Sequence, residues 1–121
     1  DKDNWSCGDL AGNLGYQHEL IIVLAKGNPK IHWSRCGNVF RVPRIASEHH
    51  PSDKPTMLLD ALVRRFCPKS GLVLDPFCGS GSTLVSAAKL GMKWMGIEIE
   101  KSYVDLSEKR VKEAYNQKRL F

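Results

Sequence analysis

Two acidic residues and two glycines stand where this sequence could bind a ligand. The apolar run Gly-Leu-Val-Leu-Asp, from Gly71 to Asp75, continues into the small-residue stretch Pro-Phe-Cys-Gly-Ser-Gly, and a second apolar run, Trp-Met-Gly-Ile, leads into Glu98. If both runs are parallel strands, their carboxyl ends lie at one edge of the sheet, where α/β proteins bind nucleoside-like cofactors. The pattern therefore predicts a carboxylate at each of two neighbouring strand ends.

The chemistry of these residues fits such a ligand. Gly79 and Gly81 would let the backbone approach it closely, and the N-terminus of a following helix would offer N–H groups to a carboxylate or phosphate. Glu98 could accept hydrogen bonds from two ribose hydroxyls. A plain strand-to-helix connection, and for Glu98 a solvated acid beside Glu100, remain alternatives. The stretch lacks the third glycine of the dinucleotide fingerprint, which argues against NAD.

The order of elements after Pro55 predicts an α/β fold with a parallel sheet and right-handed crossovers. Gly91 suits the position just after the second helix, and the third helix is expected to bury Val104, Val111 and Tyr115. The predicted elements are a helix with an apolar stripe of Leu58, Leu59, Leu62, Val63 and Phe66, a strand Leu72 to Asp75, a helix Ser82 to Leu90, a strand Lys93 to Glu98, and a helix from about Ser102 to Arg119.

Upstream of Pro55 the sequence predicts less regular structure. The run from Glu19 to Ala25 is apolar and rich in β-branched residues, which predicts a buried strand. A short strand is also expected from Asn38 to Val42, and a loop from Asp1 to Tyr16. Ser52 or Asp53 would either cap the helix that begins near Pro55 or line the ligand.

Size and composition exclude several classes of protein. A chain of 121 residues holds one domain at most, and no apolar run approaches the roughly 20 residues that span a bilayer. The four cysteines form no Cys-x-x-Cys pair, so zinc would need an irregular ligand set such as Cys36 with His32, and we expect reduced thiols and no metal site. Reduced thiols fit a cytoplasmic protein. Because the chain starts with Asp1 and not with Met, we expect it to be processed, truncated or incompletely ordered, so the absence of a recognised signal peptide carries less weight than usual.

Positive charge is concentrated in one upstream segment. The net charge is +5, and residues 26–44, here called the basic segment, hold five basic side chains and no acidic one. Such a concentration favours a polyanionic partner. The five residues are Lys26, Lys30, Arg35, Arg41 and Arg44.

Three motifs stand in order within about Glu48 to Arg119: His-Pro-Ser-Asp-Lys-Pro, Leu-Asp-Pro-Phe-Cys-Gly-Ser-Gly-Ser-Thr and Gly-Ile-Glu-Ile-Glu-Lys-Ser-Tyr. Together they resemble the permuted amino-methyltransferases of DNA, bacterial and phage enzymes that methylate adenine N6 or cytosine N4 with S-adenosylmethionine. Ser52 and Ser82 stand where the family commonly has threonine, and they keep the hydroxyl. The resemblance implies a Rossmann-like class I methyltransferase sheet and a role in DNA methylation or restriction–modification.

The resemblance also implies roles for single residues. The basic segment would be a small target-recognition region for double-stranded DNA, and Tyr16 to Gly27 a later strand of the sheet. Residues 1–47 would thus hold a loop, a sheet strand and the recognition segment, and residues 48–121 the S-adenosylmethionine-binding α/β half. Asp75, Phe77, Gly79, Gly81 and Ser82 would surround the methionine and adenosine parts of the cofactor, Glu98 would hold its ribose, and Ser52 and Lys54 would lie near its methionyl end.

The family's catalytic motif does not occur in this sequence. That motif is Asp, Asn or Ser followed by Pro-Pro-Tyr or a near variant, and the chain has no Pro-Pro. In the family it grips the target base after the base has flipped out of the duplex. In the permuted order it would precede Asp1, so we expect no catalytic residue here and no activity of this chain alone. We also expect an incomplete sheet, whose remaining strands come from a missing N-terminal half or a complementing chain.

Three alternatives stay open. Cys78 could be a nucleophile, as in cytosine C5 methyltransferases, but their cysteine directly follows a proline, which neither Cys67 nor Cys78 does. Packing as a small hydrophobic residue suits it better. The glycine-rich motif also resembles RNA guanine methyltransferases, whose Pro-Pro motif lies downstream, where this chain has none. The third alternative is a cofactor-binding or DNA-binding remnant without activity.

Overall fold

The structure, a computed structural model, describes residues 18–28, 30–34, 37–43 and 53–118. Helices and strands alternate along the second half of the chain, which confirms the predicted α/β class. None of the described helices is long and apolar enough to cross a membrane. The elements are α1 (Thr56–Phe66), β1 (Leu72–Asp75), α2 (Ser82–Lys89), β2 (Lys93–Gly96) and α3 (Lys101–Lys118).

The two strands pair in parallel, as predicted. Leu72 lies opposite Lys93 and Asp75 opposite Gly96, so both strands end at the same edge of the sheet. Strand β2 is shorter than expected, but the pairing continues beyond it, because the Ile97 N–H donates to the Asp75 carbonyl at 2.9 Å. This bond carries Glu98 to the edge where β1 ends.

The core lies between α2, α3 and one face of the sheet. Leu84, Val85 and Ala88 of α2 pack against Val111 and Ala114 of α3. Small side chains let α2 lie close to its neighbours, and Ser86 is fully buried among them. The Ser86 hydroxyl donates to Asp60 and so joins α2 to α1.

The predicted end of α2 is confirmed at Gly91. Its φ is +73°, a conformation that glycine adopts without strain. The Gly91 N–H donates to the Ala88 carbonyl at 3.1 Å, and the Met92 N–H to the Ala87 carbonyl at 2.9 Å. These two bonds satisfy carbonyls of the last helical turn and direct the chain into β2.

Two aromatic residues that the helical patterns predicted to be buried are exposed. Phe66, the last residue of α1, is 47% exposed, whereas Val63 on the same helix is buried. Tyr115 is 43% exposed, because its polar end remains at the surface, where the hydroxyl accepts a hydrogen bond from Trp94 Nε1 at 3.0 Å. Val111 is buried as predicted, and Val104 is half-buried.

The predicted strand from Glu19 to Ala25 is wrong, and so is the short strand from Asn38 to Val42. The described residues of both segments have no regular secondary structure, and the side chains of Leu20 and Leu24 are 86% and 89% exposed. A strand needs a neighbour to bond its N–H and C=O groups. Among the described ranges, β1 and β2 pair only with each other. The loop expected from Asp1 to Tyr16 lies outside the described residues.

One face of the sheet has no cover in the described part of the chain. Alternate side chains point to opposite faces of a strand, and α2 packs against only one of these faces. On the other face, here called the open sheet face, four apolar side chains are each more than half exposed. They are Leu72, Leu74, Met95 and Ile97.

Candidate functional site

The turn between β1 and α2 lies beside Glu98, as the sequence predicted. The Gly79 N–H donates to Glu98 Oε2 at 2.8 Å. The Cys78 N–H donates to the Ile97 carbonyl at 3.0 Å. These bonds join the turn after β1, here called the glycine turn (residues 76–81), to the residues that follow β2. The two predicted acidic residues therefore stand on neighbouring strand ends.

The Glu98 carboxylate is held by backbone donors on both oxygens. Oε1 accepts bonds from the Ile99 N–H at 2.9 Å and the Glu100 N–H at 3.0 Å, and Oε2 accepts the bond from Gly79. The side chain is half-buried. A carboxylate fixed in this way differs from a solvated surface acid, which was the plain alternative for this position.

The first half of the glycine turn presents an aromatic ring and covers a thiol. Asp75 Oδ1 accepts a bond from the Phe77 N–H at 3.1 Å, and the Phe77 side chain is 89% exposed. Cys78 packs against the core. Burial raises the pKa of its thiol, and the negative charges of Asp75 and Glu98 raise this pKa further. Because the thiolate is the nucleophile, Cys78 is suited to packing and not to attack.

The two glycines of the turn differ in the space around them. Gly79 and Gly81 both have positive φ, +50° and +82°. A Cβ on Gly79 would meet no atom within 4 Å, whereas a Cβ on Gly81 would lie 2.6 Å from the Cβ of Ser107 in α3. The turn thus has an open side at Gly79, which a ligand could approach, and a packed side at Gly81.

A buried polar cluster lies on the packed side of the turn. It consists of Asp53, Ser80, Ser82 and Arg110, here called the Asp53–Arg110 cluster. The Ser80 hydroxyl donates to Asp53 Oδ1, and the Ser82 hydroxyl donates to the same oxygen at 3.2 Å. Arg110 Nη1 donates to the Ser80 carbonyl at 2.8 Å and to Ser80 Oγ at 2.7 Å.

The sequence did not reveal this cluster. Ser82 was expected beside the cofactor, but its hydroxyl is bonded within the cluster, and Pro55 takes the N-cap position of α1 that Ser52 or Asp53 was considered for. Arg110 stands among the many charged residues of α3. The sequence spacing offers one indication that Arg110 is not a surface residue: Ser107 and Arg110 lie one helical turn apart, on the face of α3 that meets the glycine turn.

The Lys54 side chain bonds to a residue outside the Asp53–Arg110 cluster. Its Nζ forms an ion pair with Glu19 Oε2 at 3.2 Å, and both side chains are 53% exposed. The pair joins the segment around Glu19 to the start of α1. Ser52, the other residue predicted near the methionyl end of the cofactor, lies outside the described residues.

The described part of the basic segment leaves its cationic side chains at the surface. Lys26, Lys30 and Arg41 are exposed, and Arg35 and Arg44 lie outside the described residues.

The basic segment is attached to the last turn of α1. The His32 N–H donates to the Arg65 carbonyl at 2.9 Å. The guanidinium of Arg64 lies 5.3 Å from the centre of the Trp33 ring, and that of Arg65 lies 5.7 Å from the centre of the Phe40 ring. These distances are typical of cation–π contacts. No sequence motif predicted a role for Arg64 or Arg65.

A shallow depression of about 470 Å³ lies at the opposite edge of the sheet, where the strands begin. The glycine turn and Glu98 follow the carboxyl ends of the strands, so the depression does not belong to the candidate site. Among the described residues, no group of His, Cys, Asp and Glu side chains could hold a metal ion. The depression is lined by Ser70, Gly91, Met92, Lys93, Trp94 and Tyr115.

The match to a known family agrees with this geometry. The family model of the N6/N4 methyltransferases, described as DNA methylase, matches residues 1–109. The chain belongs to this family. Type II methyltransferase M2.DpnII of Streptococcus pneumoniae is 41% identical over 103 residues, which cover 84% of this chain and 37% of the relative. DNA adenine methyltransferase YhdJ of Escherichia coli is 35% identical over 88 residues, which cover 69% of this chain and 30% of the relative.

Solved methylase structures are similar to this one. M1.HpyAVI in its complex with SAM matches with a TM-score of 0.59 at 27% identity, over 71% of this chain and 45% of that one. PvuII DNA methyltransferase, which is cytosine-N4-specific, matches with a TM-score of 0.56 at 23% identity, over 68% and 37%, and this likeness shows the fold. The chain spans less than half the length of the curated relatives it matches.

Proposed function

We propose that this methylase chain is the cofactor-binding part of an enzyme that transfers a methyl group from S-adenosylmethionine to an exocyclic amine of DNA, adenine N6 or cytosine N4. The observation that carries the proposal is the bond from the Gly79 N–H to Glu98, next to the open side of the glycine turn. Membership of the DNA methylase family supports the reaction, and the SAM complex of M1.HpyAVI supports the cofactor.

The residues of the turn fit this cofactor. Glu98 would accept bonds from the ribose hydroxyls, and the open space beside Gly79 leaves room for the nucleoside to lie against the backbone. The exposed ring of Phe77 offers an apolar surface to the adenine, and Asp75 holds the chain that presents this ring. When bound, S-adenosylmethionine supplies the methyl group. Ser52 and Lys54 remain proposed neighbours of the methionyl end, while Gly81 and Ser82 support the turn from its packed side.

We further propose that this chain needs additional strands in order to act. The sequence has no Pro-Pro to form the motif that holds the target base, so the 121-residue chain is expected to be inactive alone. The open sheet face and the exposed leucines Leu20 and Leu24 support this proposal, because apolar side chains that are exposed side by side often mark a surface that another part of a protein covers. The cover would come from the same polypeptide or from a complementing chain.

Double-stranded DNA is the proposed partner of the basic segment. Replacing Lys26, Lys30 and Arg41 by alanine should reduce the slope of log affinity against log salt concentration by roughly 3. Lys109 and Lys112 are exposed on α3, and replacing them by alanine serves as the control. If the slope is unchanged in the triple variant, these three side chains do not contact DNA phosphates.

A methylation assay with the complete gene product tests the proposed reaction. The protein is incubated with methyl-labelled S-adenosylmethionine and, in parallel reactions, with duplex DNA or RNA of mixed sequence, and the nucleosides are then separated. We expect label in N6-methyladenine or N4-methylcytosine, and none when the 121-residue chain is used alone. Label in 5-methylcytosine, or in RNA but not in DNA, would contradict the proposal.

A second candidate function is a remnant that binds the cofactor or DNA without reacting. The lack of Pro-Pro favours it. In the same assay, a complete gene product that binds S-adenosylmethionine but labels neither base would establish this alternative.

A further inference from the structure

We propose that Arg110 and Asp53 are positioning residues, which hold the glycine turn in the shape that binds the cofactor. This inference rests on the proposed function. The turn contains two residues with positive φ, Gly79 and Gly81. Glycine reaches many other conformations equally well, and ordering it costs more entropy than ordering any other residue. Contacts from outside the turn therefore determine the fraction of molecules in which these residues adopt the observed conformation.

Arg110 bonds to the residue between the two glycines and to the residue after them. Nη1 donates to both the carbonyl and the hydroxyl of Ser80, and Nη2 donates to Ser82 Oγ at 3.3 Å. The guanidinium is planar and rigid, so these donors keep a fixed spacing. One side chain from α3 thus fixes the orientation of a backbone carbonyl inside the turn and of the first residue of α2.

Asp53 holds the same two serines from the other side. Its Oδ1 accepts bonds from both serine hydroxyls, and its Oδ2 lies 3.6 Å from Arg110 Nη1. The Asp53 side chain is 5% exposed and that of Arg110 is 18% exposed, so water screens this pair only weakly. Asp53 precedes α1 and Arg110 lies within α3, so the cluster fastens three parts of the chain around the turn.

The cluster is complete enough to be rigid. Among the described side chains, no buried nitrogen or oxygen lacks a hydrogen-bond partner. Buried polar networks whose members are all bonded restrict their surroundings to one arrangement. Gly81 adds to this restriction, because its Cα lies against Ser107 with no room for a Cβ.

The consequence concerns the open side of the turn. With Ser80 and Gly81 held from the packed side, the Gly79 N–H stays directed at Glu98, and the space above Gly79 stays clear. A binding site that is already ordered loses less entropy when its ligand binds. Arg110 and Asp53 would therefore raise the affinity for S-adenosylmethionine without touching it.

Calorimetric titration of S-adenosylmethionine into the complete gene product tests this inference. Asp53→Asn removes the charge, and Arg110→Met keeps the aliphatic stem while removing the donors. Each is expected to raise the Kd for S-adenosylmethionine about tenfold or more, with the Kd for duplex DNA unchanged. Arg110→Lys should recover part of the affinity, because one cationic donor remains near Ser80.

The matched control is Asp60→Asn. Asp60 accepts a bond from the buried Ser86 hydroxyl, so this variant removes the negative charge from the same kind of bond, here between α1 and α2 and away from the turn. It is expected to be less stable than the wild type but to bind S-adenosylmethionine with unchanged Kd. If Asp60→Asn weakens binding as much as Asp53→Asn does, the effect is general loss of stability and the positioning role is refuted.

The remaining outcomes separate this inference from the function on which it rests. If Asp53→Asn and Arg110→Met bind S-adenosylmethionine like the wild type while Glu98→Ala does not, the positioning role is wrong and the proposed function stands. If the wild type itself shows no binding, both are wrong. Should either cluster variant fail to fold, Ser80→Ala removes only the shared hydroxyl, and it must also raise the Kd for S-adenosylmethionine if the inference is correct.

Discussion

Two regions of this chain contain apolar runs of similar composition, but the side chains of one run are buried and those of the other are exposed. In residues 53–118, Leu84 is 2% exposed, whereas in residues 18–28, Leu24 is 89% exposed. The first leucine meets α3 and the sheet within the described chain, and the second meets no strand there. An apolar sequence alone is therefore not enough to form a buried strand. A neighbouring strand or helix must also be present to pack against it.

The contacts that hold the two regions also differ in kind. The described residues of 18–43 are attached through surface contacts, among them the Lys54 to Glu19 ion pair and the Arg64 to Trp33 contact, each worth about 1 kcal/mol or less. Residues 53–118 are held by a buried core and by the Asp53–Arg110 cluster. The 18–43 region should therefore open at a lower free energy than the α/β core.

The largest expected effect on the free energy of unfolding comes from truncating Leu84 and Leu24. Leu84→Ala should lower the free energy of unfolding of the complete gene product by about 2–5 kcal/mol, because it leaves a cavity in the core. Leu24→Ala should cost more than about 1 kcal/mol in the same protein, since the proposed additional strands would cover this side chain. Urea denaturation measures both values. A loss below about 0.5 kcal/mol for Leu24→Ala would show that nothing covers the segment.

The second comparison uses two glycines of similar backbone conformation. Gly27 and Gly81 have φ of +75° and +82°, but only Gly81 would place a Cβ against another atom, 2.6 Å from the Ser107 Cβ. Gly27→Ala should cost about 1 kcal/mol of stability for the backbone strain alone. Gly81→Ala should cost about 3 kcal/mol, the sum of that strain and of overpacking against α3.

The control for this comparison is the double variant Gly81→Ala with Ser107→Gly. Removing the Ser107 side chain makes room for the new methyl group, so thermal unfolding should show recovery of part of the stability. If Gly81→Ala and Gly27→Ala are equally stable, the turn does not pack on α3 as described.

The smallest expected effect concerns the attachment of the basic segment. Arg64→Ala removes the cation on the Trp33 ring and should cost less than about 1 kcal/mol. The His32 N–H, which donates to Arg65 at 2.9 Å, should then exchange with solvent several times faster, while the Leu84 N–H in the core should not change. Hydrogen exchange followed by NMR measures both. Equal acceleration at the two sites would mean that the regions open together.

Much of the α/β half could be predicted from local sequence. Strand β1 runs from Leu72 to Asp75 as predicted, since a short apolar run between glycine and proline is a strong local signal. Glu98 was expected beside the glycine turn, because parallel strands bring their carboxyl ends to one edge. The structure confirms both predictions.

The remainder depends on contacts between distant residues. Glu19 to Ala25 has the composition of a strand, but no local signal tells whether a pairing neighbour exists. Asp53 and Arg110 are charged residues far apart in sequence, and each alone is typical of a solvated surface. Only the packing of α3 beside the glycine turn reveals that they are buried and bonded to the same serines.

The most direct test of the central claim is calorimetric titration of S-adenosylmethionine into the complete gene product and its glycine and glutamate variants. Wild-type protein should release binding heat, and Glu98→Ala and Gly79→Val should not, because one removes the ribose acceptor and the other fills the open side of the turn. Gly27→Val carries a similar positive φ in open space and should bind like the wild type. Unchanged binding in both Glu98→Ala and Gly79→Val would contradict the account.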